Sequence, residues 1–547
     1  MAKLHRSIYW MLFLLLFGME FAAGYYVSHV IGYVHSDTMS RVANAFYVLY
    51  SRDPHLAAIG FVWNPLPSLI ELVFLLPYRW FPALASSALA GVLMSSLFAG
   101  MTAVTLARAA VQFGLSRWFA VLFSLAFSCN PFMFLFGANG LSDAPFIFFT
   151  MYAVVHLSLW VRSRRVGSLI KLSFALAMAF WTRYEAVPFG AAVALGIILI
   201  VMLIPPSDPD IEPLPRRNFA FRWFQIEGTW ALALSPVIYS GLLWIWFNAL
   251  IMGDPLYFLR GEYSNVAQAE GLANEQQFVE MIGNPLLGLL FVAKKTAYYS
   301  IPLASVLLLR LWNRRFFVWD LIVLLFLFVS ILALQFLMLM KGSSYGWFRY
   351  FMYVFPITVA WLPYELSRVK RSVINYAIVL VGMAMSAVIL TQALLDPVIA
   401  PDENKFLHAR QYAASQQIEK EVARYLDTEL SGQQILMDSY SAYSVILNSR
   451  HPEKFLITSD LEFADALKEP VESGIDYILS PKPDKSSAKS AEERTYPGFY
   501  EHGTSWAVLD KEFGGKWRLY KVIRTPKEVN AGGTNAARNI DRHSGVQ

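Results

Sequence analysis

Cysteine is almost absent from this chain of 547 residues: Cys129 is the only one, and it lies inside an apolar run. That excludes a disulfide within the chain, a CxxC redox site and a cysteine zinc cluster. Charge is scarce too, at 16% Asp, Glu, Lys and Arg with a formal balance of only +5. The basic residues stand in short clusters between apolar runs, which is not the single basic stripe of a nucleic-acid-binding protein. No glycine-rich phosphate loop of the GxxxxGK[ST] or GxGxxG kind occurs, and no internal repeat is visible. His29, His35 and His55 are spaced too irregularly to argue for a metal site.

What is abundant is apolar surface: 56% of residues are hydrophobic and 15% aromatic, too much for a soluble chain of this length. The composition predicts an α-helical polytopic membrane protein. Residues 8–30, behind Lys3 and Arg6, form a run longer than a signal-peptide core and carry Glu20. An uncleaved first span therefore fits better than a secretory signal cut near Ala22-Ala23-Gly24, and both readings put the next loop outside. Further spans are expected at 83–107, 118–136, 144–161, 168–182, 186–204, 228–250, 296–312, 318–340, 349–365 and 373–395, about eleven in all. The tract "PLPSLIELVFLLPYRWF" from Pro65 to Phe81 is short, holds several prolines and carries Glu71 and Arg79, so it is not expected to cross. With it omitted, the loops containing "LARAAVQFGLSR", "RSRR", "PRRNFAFR", "RLWNRR" and "SRVKR" share one side with the N-terminus. They carry about 17 Lys and Arg against about 9 in the opposite loops, which makes that side cytoplasmic.

After about residue 400 the texture changes to a helical "ARQYAASQQIEKEVARYLDTEL" and short strand-like runs "QQILMDS", "EKFLITS", "DYILS", "SWAVLD" and "KWRLYKV". The expected organisation is a membrane domain over 1–396 with an outer loop at 31–82, then an extracytoplasmic α/β domain over 400–525. Inside that domain "KPDKSSAKSAEER" reads as a mobile loop, and 526–547 as a disordered tail.

Sorted by side, the unusual polar residues gather on the outer face: Asp37, Asp143, Arg183-Tyr184-Glu185, the loop 253–284 and "KGSSYGWFRY" from Lys341 to Tyr350. Ionisable groups at the bilayer edge line a cavity or pair with one another, so a shared polar site is expected. Asp37 opens a stretch with apolar Met39, Val42, Ala43, Phe46, Leu49 and Tyr50 at helical spacing, read as an amphipathic helix in the membrane interface. Asp37 is either the cap of that helix or, if Ser36 caps it, free to face the cavity. Asp143 carries the same ambiguity at the start of a later span. Arg183 and Glu185 read equally as a structural ion pair, and "FVWNPLPS" as a rigid turn with an interfacial Trp. Glu20 and Glu71, carboxylates within apolar runs, are candidate partners for an outer-face arginine.

Taken together, Ser36-Asp37 after the first span, an amphipathic helix followed by Trp63-Asn-Pro-Leu-Pro67, Asp143 opening a later span, and an outer C-terminal domain resemble the polytopic GT-C glycosyltransferases. This superfamily includes the protein O-mannosyltransferases and the lipid A aminoarabinose transferase. The resemblance covers the first 190 or so residues best. It departs from the family at two places: many members have two adjacent acids where this chain has Ser36-Asp37, and the lysine beside paired prolines is replaced by Asn64. The resemblance implies inverting transfer of a sugar from a polyprenyl-phosphate donor to an outer lipid, glycan or protein hydroxyl, with no nucleic-acid partner. Asp37 would be the general base, and Asp143 would orient the acceptor or share the base's work. The donor phosphate would be held by cations drawn from Arg41, Arg52, Arg183, Arg260, Lys341 and Arg349, with His35, Glu185, Tyr345 and Tyr350 completing the candidate substrate-binding set. No cofactor is fixed by the pattern, although a divalent Mg or Mn is what the family's paired acids would hold. A polyprenyl chain stays in hydrocarbon while its phosphate sits at headgroup depth, which is where Asp37 falls. The rival readings are a flippase or transporter of lipid-linked sugars, which leaves the outer α/β domain unexplained, and a non-catalytic binding protein.

Overall fold

The computed structural model describes residues 5–205, 219–264, 266–267, 279–483 and 488–523. The expected tail at 526–547 lies outside these residues, as do the middle of the expected mobile loop and part of the loop 253–284.

Among the described residues seven helices are long and apolar enough to cross a membrane. They are α1 (Arg6–Tyr25, continued by a π turn to Ile31), α4 (Leu89–Gln112), α7 (Asp143–Ser163), α9 (Ala186–Leu203), α10 (Phe219–Met252), α12 (Trp319–Met340) and α14 (Val373–Leu395). With the small C-terminal sheet, this is the architecture of a polytopic helical membrane protein. Every predicted run contains helix, but the remaining ones are not single full-length spans. Run 118–136 is two helices, α5 (Arg117–Ser128) and α6 (Pro131–Ala138), bent by 69°. The bend has a local cause: Asn130 caps α6 through a 3.1 Å bond from the Phe132 amide, and Pro131 has no N–H to continue α5. α8 (Val166–Thr182), α11 (Ile301–Trp312) and α13 (Val354–Ser367) are shorter apolar helices. α3 (Leu66–Leu75) has ten residues and reaches only about 15 Å, half a bilayer core.

The helix α2 (Ser36–Tyr50) is amphipathic as its spacing predicts, but it does not lie open in a membrane interface. Met39, Val42, Ala43 and Phe46 are buried in a core shared with Val422, Leu426, Ile435, Val445 and Phe455 of the C-terminal domain. Protein, not lipid, covers its apolar face. The tip of α2 is also fixed against the bundle. Thr38 donates to the Asn139 carbonyl at 2.8 Å, and a Cβ on Gly140, whose φ is +78°, would lie 2.4 Å from the Thr38 methyl carbon. Only glycine tolerates both that backbone and that contact.

In the C-terminal domain all five expected strand runs form one sheet. β1 (Ile435–Met437), β2 (Phe455–Ile457) and β3 (Tyr477–Pro481) are parallel, while β4 (Ala507–Phe513) and β5 (Trp517–Val522) are antiparallel, in the order β2-β1-β3-β5-β4. Helix α15 (Pro401–Leu407) leads from α14 toward this domain, followed by α16 (Gln417–Glu429), and α17 (Ser439–Asn448) connects β1 to β2. The expected continuous helix over "ARQYAASQQIEKEVARYLDTEL" is broken by a 3-10 turn at Ala414–Gln416.

Candidate active site

At the end of the bundle beside the C-terminal domain, charged side chains from distant parts of the chain converge. Arg349 is at the centre. It is 2% exposed and lies on the 3-10 turn Phe348–Phe351. Its Nη2 donates to Asp37 Oδ2 at 2.7 Å and its Nη1 to Asp402, while its backbone N–H donates to Glu403 Oε1 at 2.8 Å. The Trp347 ring covers the guanidinium with its centroid 4.2 Å away. Arg349 is thus a buried cation held by two carboxylates and an aromatic face.

His35 settles the cap of α2. Its Nδ1 accepts the Asp37 amide at 3.1 Å, and its Nε2 lies 2.9 Å from Asp402 Oδ2. Neither Ser36 nor Asp37 caps the helix, so both expected capping roles are corrected. The cap fixes the tautomer, because an accepting Nδ1 leaves the ring proton on Nε2, where it is donated to Asp402. Burial pulls the imidazole pKa down and Asp402 beside it outweighs this and raises it. The capping bond opposes a second proton, since a protonated Nδ1 has no lone pair for the amide. Burial pushes Asp402 up, but His35 and Arg349 hold its carboxyl well below the usual range.

A second group adjoins the first. Asp143 Oδ1 lies 3.1 Å from Arg183 Nη1 and 3.4 Å from the Tyr353 hydroxyl, and Arg183 Nη2 donates to Glu185 Oε1 at 2.7 Å. Asp143 is 1% exposed and makes no capping bond. Its Oδ1 is engaged by Arg183 and by the Tyr353 hydroxyl. Arg41 lies between the groups, within electrostatic reach of Glu71, Arg183, Asp37 and Asp143. Its Nη1 donates to the Asn64 carbonyl at 3.1 Å and it sits over the Trp63 ring, yet it makes no ion pair at contact distance among the described residues. Burial lowers its pKa, so a bound anion would restore what desolvation has cost it. Asn64 also donates to the Phe180 carbonyl at 2.6 Å, which ties the proline-rich segment to α8. Glu71 has the partner expected for a buried carboxylate only in part: Arg41 is near, but neither oxygen has a hydrogen bond. Among the described residues Glu20 meets no arginine; it packs on Gly137, where a Cβ would fall 2.3 Å from its Cδ.

The carboxylates differ in access. The Asp37 side chain is 44% exposed, and among the described residues only its Oδ2 is engaged, whereas Asp143, Asp402 and Glu185 are buried and paired. Tyr350 and Tyr345 flank this open side: Tyr345 stacks on Trp347 at 4.9 Å, and Trp347 meets Tyr350 at 5.4 Å.

Of the other expected residues, Arg52 points to Glu462 of the C-terminal domain at 3.9 Å and is outside the cluster. Arg260 and Lys341 are exposed and make no ion pair among the described residues. Asp402, Glu403 and Tyr353 were not anticipated, and Trp347 only as part of the stretch from Lys341 to Tyr350. "PDEN" after the last span has the form of a helix start, proline followed by first-turn acids, and that local explanation hides its partnership with Arg349.

A divalent cation has no seat between Asp37 and Asp402, because the Arg349 guanidinium bridges their carboxylates. Among the described residues no three His, Cys, Asp or Glu side chains converge as a metal site. The donor set therefore does not suit Mg or Mn. No protein-family model matches the chain, and no curated protein matches its sequence.

Proposed function

We propose that the protein is an inverting membrane glycosyltransferase that takes a sugar from a polyprenyl-phosphate donor, with the N-terminus cytoplasmic and the C-terminal domain on the outer face of the cell membrane. The observation that carries this reading is the contrast between one accessible carboxylate and its buried neighbours. Asp37 is anchored through Oδ2 by Arg349, which leaves Oδ1 directed by the same bond yet open. That is what a general base needs: a fixed direction and one free lone-pair set. Asp402 and His35 hold Arg349 and the start of α2, so they position the base without touching the substrate.

In the reaction Asp37 Oδ1 takes the proton of the acceptor hydroxyl as its oxygen bonds to the anomeric carbon. The bond from that carbon to the phosphate oxygen breaks, and the electron pair leaves with the polyprenyl phosphate. Negative charge grows on the phosphate, and Arg41 is the cation free to meet it, close to Asp37 but not neutralised by a contacting carboxylate. Arg183 is already bound by Asp143 and Glu185 and supplies background field.

The test is donor consumption by the purified protein in lipid nanodiscs, across polyprenyl-phosphate hexoses and pentoses with cell-envelope acceptors. Consumption of one donor class with release of polyprenyl phosphate is expected. No consumption of any donor, together with movement of lipid-linked sugar between leaflets, would replace this reading by transport.

A further inference from the structure

The sheet order β2-β1-β3 has a consequence for the outer domain. From β1 the chain goes to one neighbour and then returns across it to the other, so the connections diverge between β1 and β3. Open parallel sheets take ligands beyond the carboxyl ends of their strands at such a point. Here Asp438 follows β1 directly, Thr458 follows β2, and Ser480 lies in β3.

This edge faces the helix bundle. Tyr47 of α2 donates to the Ser439 carbonyl at 3.2 Å, and Tyr263 donates to Asp438 Oδ2 at 2.8 Å. The Tyr263 ring stacks on Tyr440 with centroids 4.5 Å apart. Tyr440 and Tyr443, on the helix leaving β1, both lie within electrostatic reach of Asp37, and Tyr440 also of Tyr345. From Tyr345 the aromatic series runs through Trp347 to Tyr350 and Arg349. Two ring groups, Tyr263–Tyr440 at the sheet edge and Tyr345–Trp347–Tyr350 on the Arg349 turn, thus stand within electrostatic reach of one another and of Asp37, and each ring is half-buried. The hydroxyls of Tyr350, Tyr440 and Tyr443 make no hydrogen bond among the described residues, and none is among the buried polar atoms that lack a partner.

Half-buried rings, with the hydroxyls of Tyr350, Tyr440 and Tyr443 free among the described residues, fit one ligand chemistry well. A pyranose or furanose presents a face of polarised C–H bonds to the negative face of a ring, and its hydroxyls exchange bonds with phenols at the edge. A lipid alcohol would leave the phenols unpaired, and a peptide would call for a strand edge or a charged pocket.

We infer that the acceptor is a carbohydrate chain, held between the carboxyl edge of the C-terminal sheet and the Arg349 turn by Tyr440, Tyr443, Tyr345 and Tyr350, with one sugar hydroxyl delivered to Asp37. This rests on the transferase reading for its chemistry, but not for the existence of the site. The C-terminal domain is then the part that selects the acceptor.

The experiment uses the full chain in nanodiscs and short gluco-, manno-, galacto- and arabino-oligosaccharides, with saturation-transfer NMR for binding and donor turnover for transfer. Tyr440→Ala and Tyr345→Ala are compared with Tyr440→Phe, which keeps the ring and its stack on Tyr263. Wild type is expected to bind at least one oligosaccharide class. The alanine variants should raise its KM about tenfold while the donor KM moves less than about twofold. Binding without any donor turnover, lost in the alanine variants, would keep the carbohydrate site and sink the transferase reading. Turnover with unchanged acceptor KM in both alanine variants would reduce the aromatic series to a joint between domains and overturn the inference. So would the absence of oligosaccharide binding by wild type, or transfer to peptides or lipid alcohols alone. If Tyr440→Ala does not fold, Tyr345→Ala and Tyr440→Phe decide the matter, because an unchanged acceptor KM in both overturns it.

Discussion

Arg349 joins two carboxylates of opposite character, and replacing it by methionine separates their contributions. Asp402 has 7% side-chain exposure and Asp37 44%, while Arg349 has 2%. Removing one partner of a buried pair leaves an uncompensated charge and costs about 3–5 kcal/mol. An exposed pair contributes only about 0.2–1 kcal/mol because water screens it. Arg349→Met should therefore lose up to about 3–5 kcal/mol, mainly at Asp402, which keeps only His35 and the half-exposed Lys405 as partners. Adding Asp402→Asn should recover much of it, with a coupling energy above about 1.5 kcal/mol, whereas adding Asp37→Asn should show coupling below about 1 kcal/mol. The assay is equilibrium unfolding by steric trapping in bicelles, for wild type, each single variant and both doubles. Equal couplings for the two acids, or a loss below about 1 kcal/mol for Arg349→Met, would refute the division into a buried structural pair and an exposed working one.

Other consequences are equally direct. Arg41→Ala removes the Asn64 hydrogen bond, the Trp63 contact and the proposed phosphate contact, so donor KM should rise at least about tenfold alongside a stability loss of about 1–2 kcal/mol, measured by turnover and thermal melts. Gly140→Ala places a Cβ against the Thr38 methyl at φ +78°, and should destabilise by about 1–3 kcal/mol and unseat the start of α2. Hydrogen exchange of residues 36–42 would report it. Glu492 is fully buried; burial first, then Asp438, raises its pKa from 4.5 to about 8. A carboxyl raised on folding contributes its stability below the unfolded value and loses it as pH climbs to the folded one. The C-terminal domain should therefore weaken from about pH 4.5 to pH 8, and Glu492→Gln should flatten that slope. Melting temperatures of both proteins across that range test it.

The periodic parts of this molecule are legible in its sequence, and the partnerships are not. The five strand runs were recognisable because short β-branched and aromatic segments stand between turn residues, and they all pair. The helical spacing from Met39 to Tyr50 was equally clear, but spacing says which face is apolar, not what covers it; bilayer and protein core are indistinguishable at that level. The short helices α11 and α13 show the same limit, since an apolar run reports burial without giving the length of helix that uses it. Within the site, Asp37, Arg349, Arg183, Asp143 and Arg41 were accessible as polar residues stranded at the ends of apolar runs. Asp402 was not, because 367 residues separate it from His35 and its own surroundings explain it locally. The His35 cap was hidden by better-known capping residues next to it, Ser36 and Asp37.

Asp37 is proposed as a working base and not a structural acid. That role is tested most directly by Asp37→Asn in nanodiscs with the polyprenyl-phosphate sugar that wild type consumes. The variant should melt close to wild type, within about 1 kcal/mol because the Asp37 pair is exposed, still bind the donor, and lose at least about a hundredfold in turnover. A variant that turns over at the wild-type rate would show that the accessible carboxylate is not the base.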